Sequence, residues 1–430
     1  MNFKENFIHA IWKYQYFDKR DLRTCHGVSL EVKKIGYYNF HEGPDFRESH
    51  LSIGQLEHHG NVEVHLKSSD WYQHAHDRDH HYDSVILHVV WEHDTEVKRA
   101  DGTLIPTLEL KGKVFLSVLR NYERLVSARN PILCHEFLPG INEIIKFSAL
   151  EKALVERLEE KSKLVDQEII STAGDWEEVA YRWLFYCFGF KVNNVPMLKL
   201  AHSVPYKVLK KHSGKRGVLE AVLMGQAGFL TGDQLDEYSA FAQKEHGFYH
   251  RKYSLPEPVY PTEWKFMRVR PSNYPPVRIA QLATVLSQSP NLFSLITQEV
   301  DSVSALQGIF SGGTSTYWEY HYFPGKECKK HQNRVLSKRT IHLLAINYLV
   351  PLWFSYGKYL DDERWRARCF DLLQEIPPEE NHIISDFIVE GWRPLNAFDS
   401  QGMIGLHHAY CSQKKCLNCK VGQNLLSASD

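Results

Sequence analysis

The hydrophobic periodicity of this chain changes near residue 141, and no other feature limits its fold as strongly. Upstream, short segments alternate apolar and polar residues, most clearly over residues 60–71. Two valines and a leucine form one side of that segment. The other side carries Asn61, Glu63, His65 and Lys67. A period of two predicts a half-buried β-strand, with one packed face and one face that collects ionisable groups.

Downstream of residue 141 the period lengthens to that of a helix. Residues 147–165 place apolar side chains three to four positions apart with charges between them, which is typical of an amphipathic helix. Another such helix is predicted within residues 3–17, and the run at 84–91 is apolar on both faces, as in a central strand. The patterns predict an α+β or α/β fold: an N-terminal helix with a mixed β-sheet, followed by largely α-helical domains.

Shifts in composition divide the chain into four parts. Six of the 18 prolines lie between Pro256 and Pro276, and such a segment disfavours helix, so we expect a connector there. The predicted parts are an α/β domain at 1–130, a helical domain at 131–250, a proline-rich connector at 251–280 and a helical C-terminal domain at 281–430.

Composition also limits where the protein acts. With 43% hydrophobic and 24% charged residues, the chain resembles globular proteins. No signal peptide is evident, and no segment reaches the roughly 18 apolar residues that span a bilayer. We therefore expect a cytoplasmic protein without a membrane partner. Because the net charge is −1, contact with nucleic acid would depend on a local basic patch.

Histidines and carboxylates are concentrated in the strand region. Eleven of the 24 histidines fall between His41 and His93. Imidazole titrates nearest neutral pH, and together with carboxylates it supplies both metal ligands and proton-transfer groups. This concentration predicts a metal site or an acid–base site near the sheet.

The arrangement of two of these carboxylates resembles a nuclease superfamily. Pro44-Asp45 on one strand, followed by Glu63-Val64-His65 on the next, is similar to the restriction-endonuclease-like PD-(D/E)XK nucleases. The resemblance implies a core of one helix and a mixed sheet. It also implies that Asp45 and Glu63 bind Mg²⁺ or Mn²⁺, and that the residue two positions after Glu63 assists the attacking water.

This chain departs from the superfamily at that last position, which is normally lysine. His65 stands there, and Lys67 lies two residues further along the same face, so either His65 or Lys67 would act on the water. Two carboxylates suit Mg²⁺, which retains several waters, because they leave room for a phosphate and a nucleophilic water. The expected reaction is metal-dependent hydrolysis of phosphodiester bonds in nucleic acid.

Two alternatives remain open from the sequence. The nuclease fold could be catalytically degenerate and serve as a scaffold that binds nucleic acid or protein. A second alternative is a His-rich metallohydrolase, since residues 74–80 resemble, with one extra residue, the metal motif of metallo-β-lactamase-like enzymes. Across its length the chain is also similar to a bacterial family catalogued as a domain of unknown function, a resemblance that implies no reaction.

Three cysteines at the C-terminus form a second candidate metal site. Cys411 is followed by Cys416 and Cys419, and a Cys-x2-Cys pair lets two thiolates reach one ion. The fourth ligand could be His408, giving a zinc knuckle, or Cys134, which would join two distant parts of the chain. The Cys134 arrangement resembles iron–sulfur nucleases of the same superfamily, and the cysteine tail is similar to the cluster loop of helix-hairpin-helix DNA glycosylases. We therefore expect structural Zn²⁺ or a [4Fe–4S] cluster.

A basic strip near the proline-rich segment is the candidate nucleic-acid contact. It is made up of Arg268, Arg270 and Arg278, with aromatic residues among them. Arginine binds phosphates through two parallel hydrogen bonds, and aromatic rings stack on bases. The expected partner is nucleic acid, with DNA as the expected form.

Overall fold

The computed structural model of the protein describes residues 4–230 and 236–427. These residues form two compact units. The first comprises Met1–Ala149, Val389–Trp392 and Leu406–Asp430, and the second comprises Leu150–Ile388 and Arg393–Gly405. The division differs from the predicted boundaries at 131, 251 and 281: the C-terminal cysteines belong to the first unit, and the proline-rich segment lies inside the second.

Most of the described chain is helical. Two π-helical turns also occur, at Ala345–Leu349 and His407–Cys411. The α-helices are, in chain order, α1 (Glu5–Tyr14), α2 (Asp70–Gln73), α3 (Leu116–Ser127), α4 (Glu143–Ser171), α5 (Trp176–Phe188), α6 (Asn194–Ser203), α7 (Tyr206–Lys210), α8 (Arg216–Gln226), α9 (Glu237–Tyr253), α10 (Pro275–Gln288), α11 (Leu292–Gln298), α12 (Val303–Ile309), α13 (Thr316–Tyr320), α14 (Lys338–Leu344), α15 (Val350–Leu360), α16 (Arg364–Glu375), α17 (His382–Val389), α18 (Ala397–Leu406) and α19 (Lys420–Ser427).

A mixed six-stranded sheet forms the centre of the first unit. The strands of the chain are β1 (Leu30–Lys34), β2 (Tyr37–Tyr38), β3 (Phe46–Ile53), β4 (Leu56–Lys67), β5 (Val85–Glu92), β6 (Thr107–Glu109), β7 (His321–Phe323) and β8 (Lys326–Glu327). The sheet has the order β1-β3-β4-β5-β6, and β2 pairs with β3. β3 and β4 are antiparallel, whereas β4, β5 and β6 are parallel to one another. The predicted fold class, a helix and mixed sheet followed by helices, is confirmed.

The polar face of β4 is more buried than its alternation indicates. Glu63 is 5% exposed and His65 is 1% exposed, while Lys67 at the strand end is exposed. The segment 70–82 covers this face: its Trp71 ring lies against His88 of β5, and its histidines lie against His65. The expectation of a half-buried strand is therefore wrong at its centre, because a later segment folds over the ionisable side.

The second unit is a helical assembly around one large apolar core. The proline-rich segment packs into it through Trp264, which is 5% exposed and donates a hydrogen bond from Nε1 to the carbonyl of Ala227. Two prolines, Pro275 and Pro276, begin α10, where the missing N–H groups cost nothing because the first turn has no intrahelical partner for them. Among the described residues, no helix combines the length and apolar character that crossing a membrane requires.

Candidate functional site

Asp45 and Glu63 are held together by two reciprocal hydrogen bonds. Asp45 directly precedes β3, and its backbone N–H donates to Glu63 Oε2 at 3.0 Å. In return, the backbone N–H of Val64 donates to Asp45 Oδ2, also at 3.0 Å. The antiparallel pairing of β3 with β4, in which Phe46 faces Val62, sets this juxtaposition. The two acids predicted to share a cation therefore lie side by side.

The burial of Glu63 makes its negative charge costly. Burial and the nearby Asp45 carboxylate raise the pKa of Glu63 to about 9. Two carboxylates in one poorly solvated place cannot both ionise without a compensating positive charge. A divalent cation is one group that would supply such a charge.

Four histidines extend the site from the carboxylates into the sheet. His65 Nδ1 lies 2.9 Å from His88 Nε2, and His65 Nε2 lies 3.1 Å from His74 Nδ1. The Nε2 atom of His76 lies 3.3 Å from Glu63 Oε1, and that of His65 lies 3.5 Å from the same oxygen. Imidazoles and carboxylate thus converge on one small volume.

Three of these imidazoles, those of His65, His76 and His88, are kept neutral by their surroundings. Burial and the neighbouring histidines lower the pKa of His65 to about 2, and burial lowers that of His88 to about 3. Burial also lowers the pKa of His76. Neutral imidazole is the form that binds metal ions.

One trio has the spacing of a metal site. Nitrogen atoms of His65, His74 and His76 all lie within 4.8 Å of one another. Behind the trio, His88 is fully buried, and its Nδ1 has no hydrogen-bond partner among the described residues. His88 Nε2 lies 2.9 Å from His65 Nδ1. A second histidine in such contact fixes the ring orientation of a metal-binding histidine, so His88 is placed to orient the ring of His65.

Helix α1 adds a histidine and an acid that the sequence patterns did not reveal. His9 Nε2 lies 3.3 Å from Asp45 Oδ2 and 3.8 Å from Glu5 Oε1. Burial lowers the pKa of His9, but the hydrogen bond with Asp45 and the charges of Asp45 and Glu5 outweigh burial and raise it overall. The i, i+4 pairing of an acid with a histidine on the opening helix was the only sequence signal for them.

Lys67 occupies a different position from the other predicted site residues. Its side chain is exposed at the end of β4, and its backbone N–H donates to Asp70 Oδ2 at 2.9 Å. His65, in contrast, is buried next to Glu63. Of the two residues predicted to act on water, the structure brings His65 to the carboxylates.

The predicted basic strip is only partly exposed. Arg268 and Arg270 lie on the surface. Arg278, however, is 6% exposed, and its guanidinium donates hydrogen bonds to Gln281 and Asn273. Arg278 lies within α10, and its side chain faces the interior of the second unit. It is therefore unavailable to bind a phosphate at the surface.

The C-terminal cysteines lie near Cys134 within the first unit. The charges of Cys134, Cys419 and Cys416 all act on the Cys411 thiol, whose pKa burial raises. His408, the other candidate for fourth ligand, is exposed. Electrostatic interactions link Cys134 to all three C-terminal cysteines, and the identity of the fourth ligand stays a prediction.

Comparisons with known proteins give a family and no activity. No curated protein and no solved structure matches the chain. The family model that does match covers residues 5–382, which include Asp45, Glu63 and Cys134 but not the three C-terminal cysteines. By this match the chain belongs to the family described as "Protein of unknown function (DUF2851)".

Proposed function

We propose that this protein is a metal-dependent nuclease, which hydrolyses phosphodiester bonds with a divalent cation bound by Asp45 and Glu63. The observation that carries the proposal is the pair of reciprocal hydrogen bonds between the Asp45 and Glu63 segments. They fix two carboxylates at one position on adjacent strands. In the PD-(D/E)XK nucleases that the sequence resembles, two acidic residues on neighbouring strands bind a divalent cation. The resemblance therefore assigns Asp45 and Glu63 to that role.

The donor set favours a transition ion over Mg²⁺. Mg²⁺ prefers oxygen ligands, whereas imidazole nitrogen favours ions such as Zn²⁺. His65 and His76 both place Nε2 within 3.5 Å of Glu63 Oε1. A mixture of carboxylate and imidazole suits Mn²⁺ or Zn²⁺, and we propose Mn²⁺ because carboxylates remain the central ligands.

His65 is better suited to hold the cation than to remove a proton from water. A general base acts best when its pKa lies near the working pH, and burial lowers the pKa of His65 to about 2. Its Nε2 lies 3.1 Å from His74 Nδ1 and 3.5 Å from Glu63 Oε1, so this nitrogen faces the proposed cation site. The bound cation would supply acidification of water and polarisation of the phosphate.

His9 is a positioning residue in this scheme. Its Nε2 lies 3.3 Å from Asp45 Oδ2 and 3.3 Å from the carbonyl oxygen of Val64, and its Nδ1 lies 3.3 Å from the Tyr38 hydroxyl. A ring held at both nitrogens fixes the orientation of the Asp45 carboxylate. Within the second unit, the exposed Arg268 and Arg270 remain the proposed nucleic-acid contact, because their guanidinium groups suit phosphate contacts.

Cleavage assays on variants test the proposal. Metal-free full-length protein would be incubated with plasmid DNA, single-stranded DNA and RNA in Mn²⁺, Zn²⁺ or Mg²⁺. Asp45→Asn and Glu63→Gln each replace a carboxyl group by a neutral amide of nearly the same shape, which cannot ionise when a cation binds. The matched control is Glu57→Gln, because Glu57 lies on the same strand but is exposed and pairs with Lys33 and His50.

We expect the wild type and Glu57→Gln to cleave at least one substrate in Mn²⁺, and both site variants to be inactive. Equal cleavage by all four proteins would contradict the assignment of Asp45 and Glu63. A wild type that is inert with every substrate and metal, yet retains nucleic acid in a binding assay, would favour the scaffold alternative.

A further inference from the structure

The second unit contains a cavity of about 640 Å³ that the proposed nuclease chemistry does not use. This volume lies within the range of small-molecule sites, which is about 300–1,000 Å³. Its walls come from α4, α5, α14, the π-helical turn at Ala345–Leu349 and Glu379. Trp183 and Tyr186 form an aromatic wall, and their rings stack at 11° with 5.0 Å between centroids. The cavity therefore suits a ligand with a flat apolar ring.

The half-buried side chain of Lys161 brings an amine to the wall of this cavity. Its Nζ donates to Asn347 Oδ1 at 2.9 Å and to Gln401 Oε1 at 3.0 Å. In the described part of the chain, Lys161 forms no ion pair with a carboxylate. A neutral amine has two N–H bonds and one lone pair. Because the two amide oxygens accept both N–H bonds, the lone pair is left for a ligand in the cavity.

A second contact orients each of the two amides. Asn347 Nδ2 donates to the Leu343 carbonyl at 2.8 Å. Gln401 Oε1 also accepts from Arg157 Nε at 2.9 Å, and Gln401 Nε2 donates to the Glu379 carboxylate. These contacts turn both amide oxygens towards Lys161. The position of the amine is therefore fixed before any ligand enters.

The surroundings of Lys161 also favour its neutral form. Burial and the Arg157 guanidinium lower the pKa of Lys161 to about 7, and they outweigh Glu379 and Cys187, which act in the opposite direction. At pH 7 about half of the Lys161 side chains are then unprotonated, against about one in 2,500 for an ordinary lysine. A lysine that is poorly solvated and lies near another cation is a nucleophile for carbonyl compounds.

Two uncommon backbone features occur in the cavity wall. Phe190 has a φ of 50°, a left-handed conformation that is costly for a bulky side chain. Asn347 lies in the π-helical turn, where the carbonyls of Asn347 and Tyr348 accept hydrogen bonds from Cys187 Sγ and Trp183 Nε1. Strained residues and π-helical turns are both frequent at functional sites. Their presence favours a binding site over an incidental gap in the packing.

A second lysine of the cavity is suited to an anionic group on the ligand. Lys191 is exposed and lines the cavity, and within residues 4–230 and 236–427 it has no ion-pair partner. The acid Glu160 of the same wall is already paired with Lys163. An anionic substituent that reaches Lys191 would therefore form an ion pair without displacing a carboxylate of the protein.

We propose that Lys161 is a covalent binding site for an aromatic aldehyde that carries an anionic group. The Nζ lone pair attacks the carbonyl carbon, and a proton moves from nitrogen to oxygen. The adduct then loses one water, so that a C=N bond replaces the C=O bond and no oxidant or reductant is needed. The aromatic ring lies against Trp183 and Tyr186, and the anionic group pairs with Lys191. This site is independent of the cation proposed in the first unit.

Reductive trapping in the full-length wild-type protein tests the proposal. The protein would be incubated at pH 7 with an equimolar amount of 4-carboxybenzaldehyde, and cyanoborohydride would convert the imine to a stable secondary amine. Mass spectrometry of peptides then locates the label. We expect the labelled fraction of Lys161 to exceed that of any other lysine by at least about tenfold. Equal labelling of many lysines, or an unlabelled Lys161, would overturn the proposal.

Two variants separate the nucleophile from its surroundings. Lys161→Arg keeps a positive charge but removes the amine, and it should lose the specific label. Lys163→Arg is the matched control, because Lys163 lies on the same helix, is exposed and pairs with Glu160, and it should keep the label. A wild-type level of label in Lys161→Arg would overturn the assignment. If Lys161→Arg fails to fold, the location of the label in the wild type still decides.

Benzaldehyde, which lacks the carboxylate, tests the part assigned to Lys191. At equal concentration it should label Lys161 less than 4-carboxybenzaldehyde does. Lys191→Gln should reduce labelling by 4-carboxybenzaldehyde to the benzaldehyde level and leave labelling by benzaldehyde unchanged. Equal labelling of Lys161 by both aldehydes in the wild type would overturn the preference for an anionic ligand.

Discussion

The backbone N–H of Asp45 donates to the carboxylate of Glu63 at 3.0 Å, across two adjacent antiparallel strands. This contact places the two acids next to each other in a site where Glu63 is 5% exposed. Burial and the Asp45 charge raise the pKa of Glu63 to about 9. Without a cation one proton stays on the pair at neutral pH, so ionisation of both acids and cation binding are linked.

His76 should determine the preference for the metal. Its Nε2 lies 3.3 Å from Glu63 Oε1, so His76→Gln removes an imidazole that we propose as a ligand and leaves both carboxylates in place. We expect the Mn²⁺ or Zn²⁺ concentration for half-maximal cleavage to rise by about tenfold or more, with little effect on any activity in Mg²⁺. Titration of cleavage rate against each metal measures this.

His80→Gln is the control for that titration, because His80 is exposed and pairs only with Asp83 among the described residues. It should behave as the wild type. Equal metal requirements in His76→Gln and the wild type would show that His76 is not a ligand.

His65, and not Lys67, should be required for activity. His65→Gln removes a buried nitrogen that faces Glu63 and His74. Because we assign this nitrogen to the cation, we expect the cleavage rate to fall by about 100-fold. Lys67→Ala changes an exposed side chain at the end of β4 and should keep a rate close to that of the wild type. Loss of activity in Lys67→Ala with normal activity in His65→Gln would reverse the assignment. Circular dichroism of both variants checks that they fold.

Glu168 should make the second unit sensitive to acid. It pairs with Arg182 at 2.9 Å and with His202 at 3.0 Å. Burial raises the pKa of Glu168, but the hydrogen bonds from His202 and Arg182 outweigh burial and lower it to about 2. Because the folded pKa is below the unfolded one, the stabilisation is fully present above about pH 5 and is lost as pH falls towards 2.

Glu168→Gln is the variant that measures this contribution. At neutral pH it should lower the free energy of unfolding by about 2 kcal/mol, a value that allows for partial solvent screening. The difference from the wild type should disappear near pH 2. Urea unfolding across this pH range measures it, and a difference that does not depend on pH would contradict the ion-pair explanation.

Much of the architecture could be predicted from the sequence, because local periodicity determines which segments become strands or helices. The alternation around Glu63 indicated β4, and Pro44-Asp45 indicated the strand before it. Burial of the polar face was not predictable, since it depends on segment 70–82 folding over that face. His9 was missed for a similar reason: a histidine on an amphipathic helix gives no indication of which strand it will meet.

The same limit applies to sites formed by distant residues. The spacing of Cys411, Cys416 and Cys419 indicated a shared ligand, but spacing alone could not choose between Cys134 and His408. Arg278 was assigned to an exposed strip because it follows a proline cluster. In the structure those prolines start α10, and the helix carries Arg278 into the interior of the second unit.

Direct binding of Mn²⁺ to metal-free protein tests the central claim, that Asp45 and Glu63 share one cation. Isothermal titration at neutral pH would compare the wild type with Asp45→Asn, Glu63→Gln and the control Glu57→Gln. We predict one Mn²⁺ site per chain in the wild type and the control, weakened by about 100-fold or lost in both site variants. Equal Mn²⁺ affinity in all four proteins would contradict the claim.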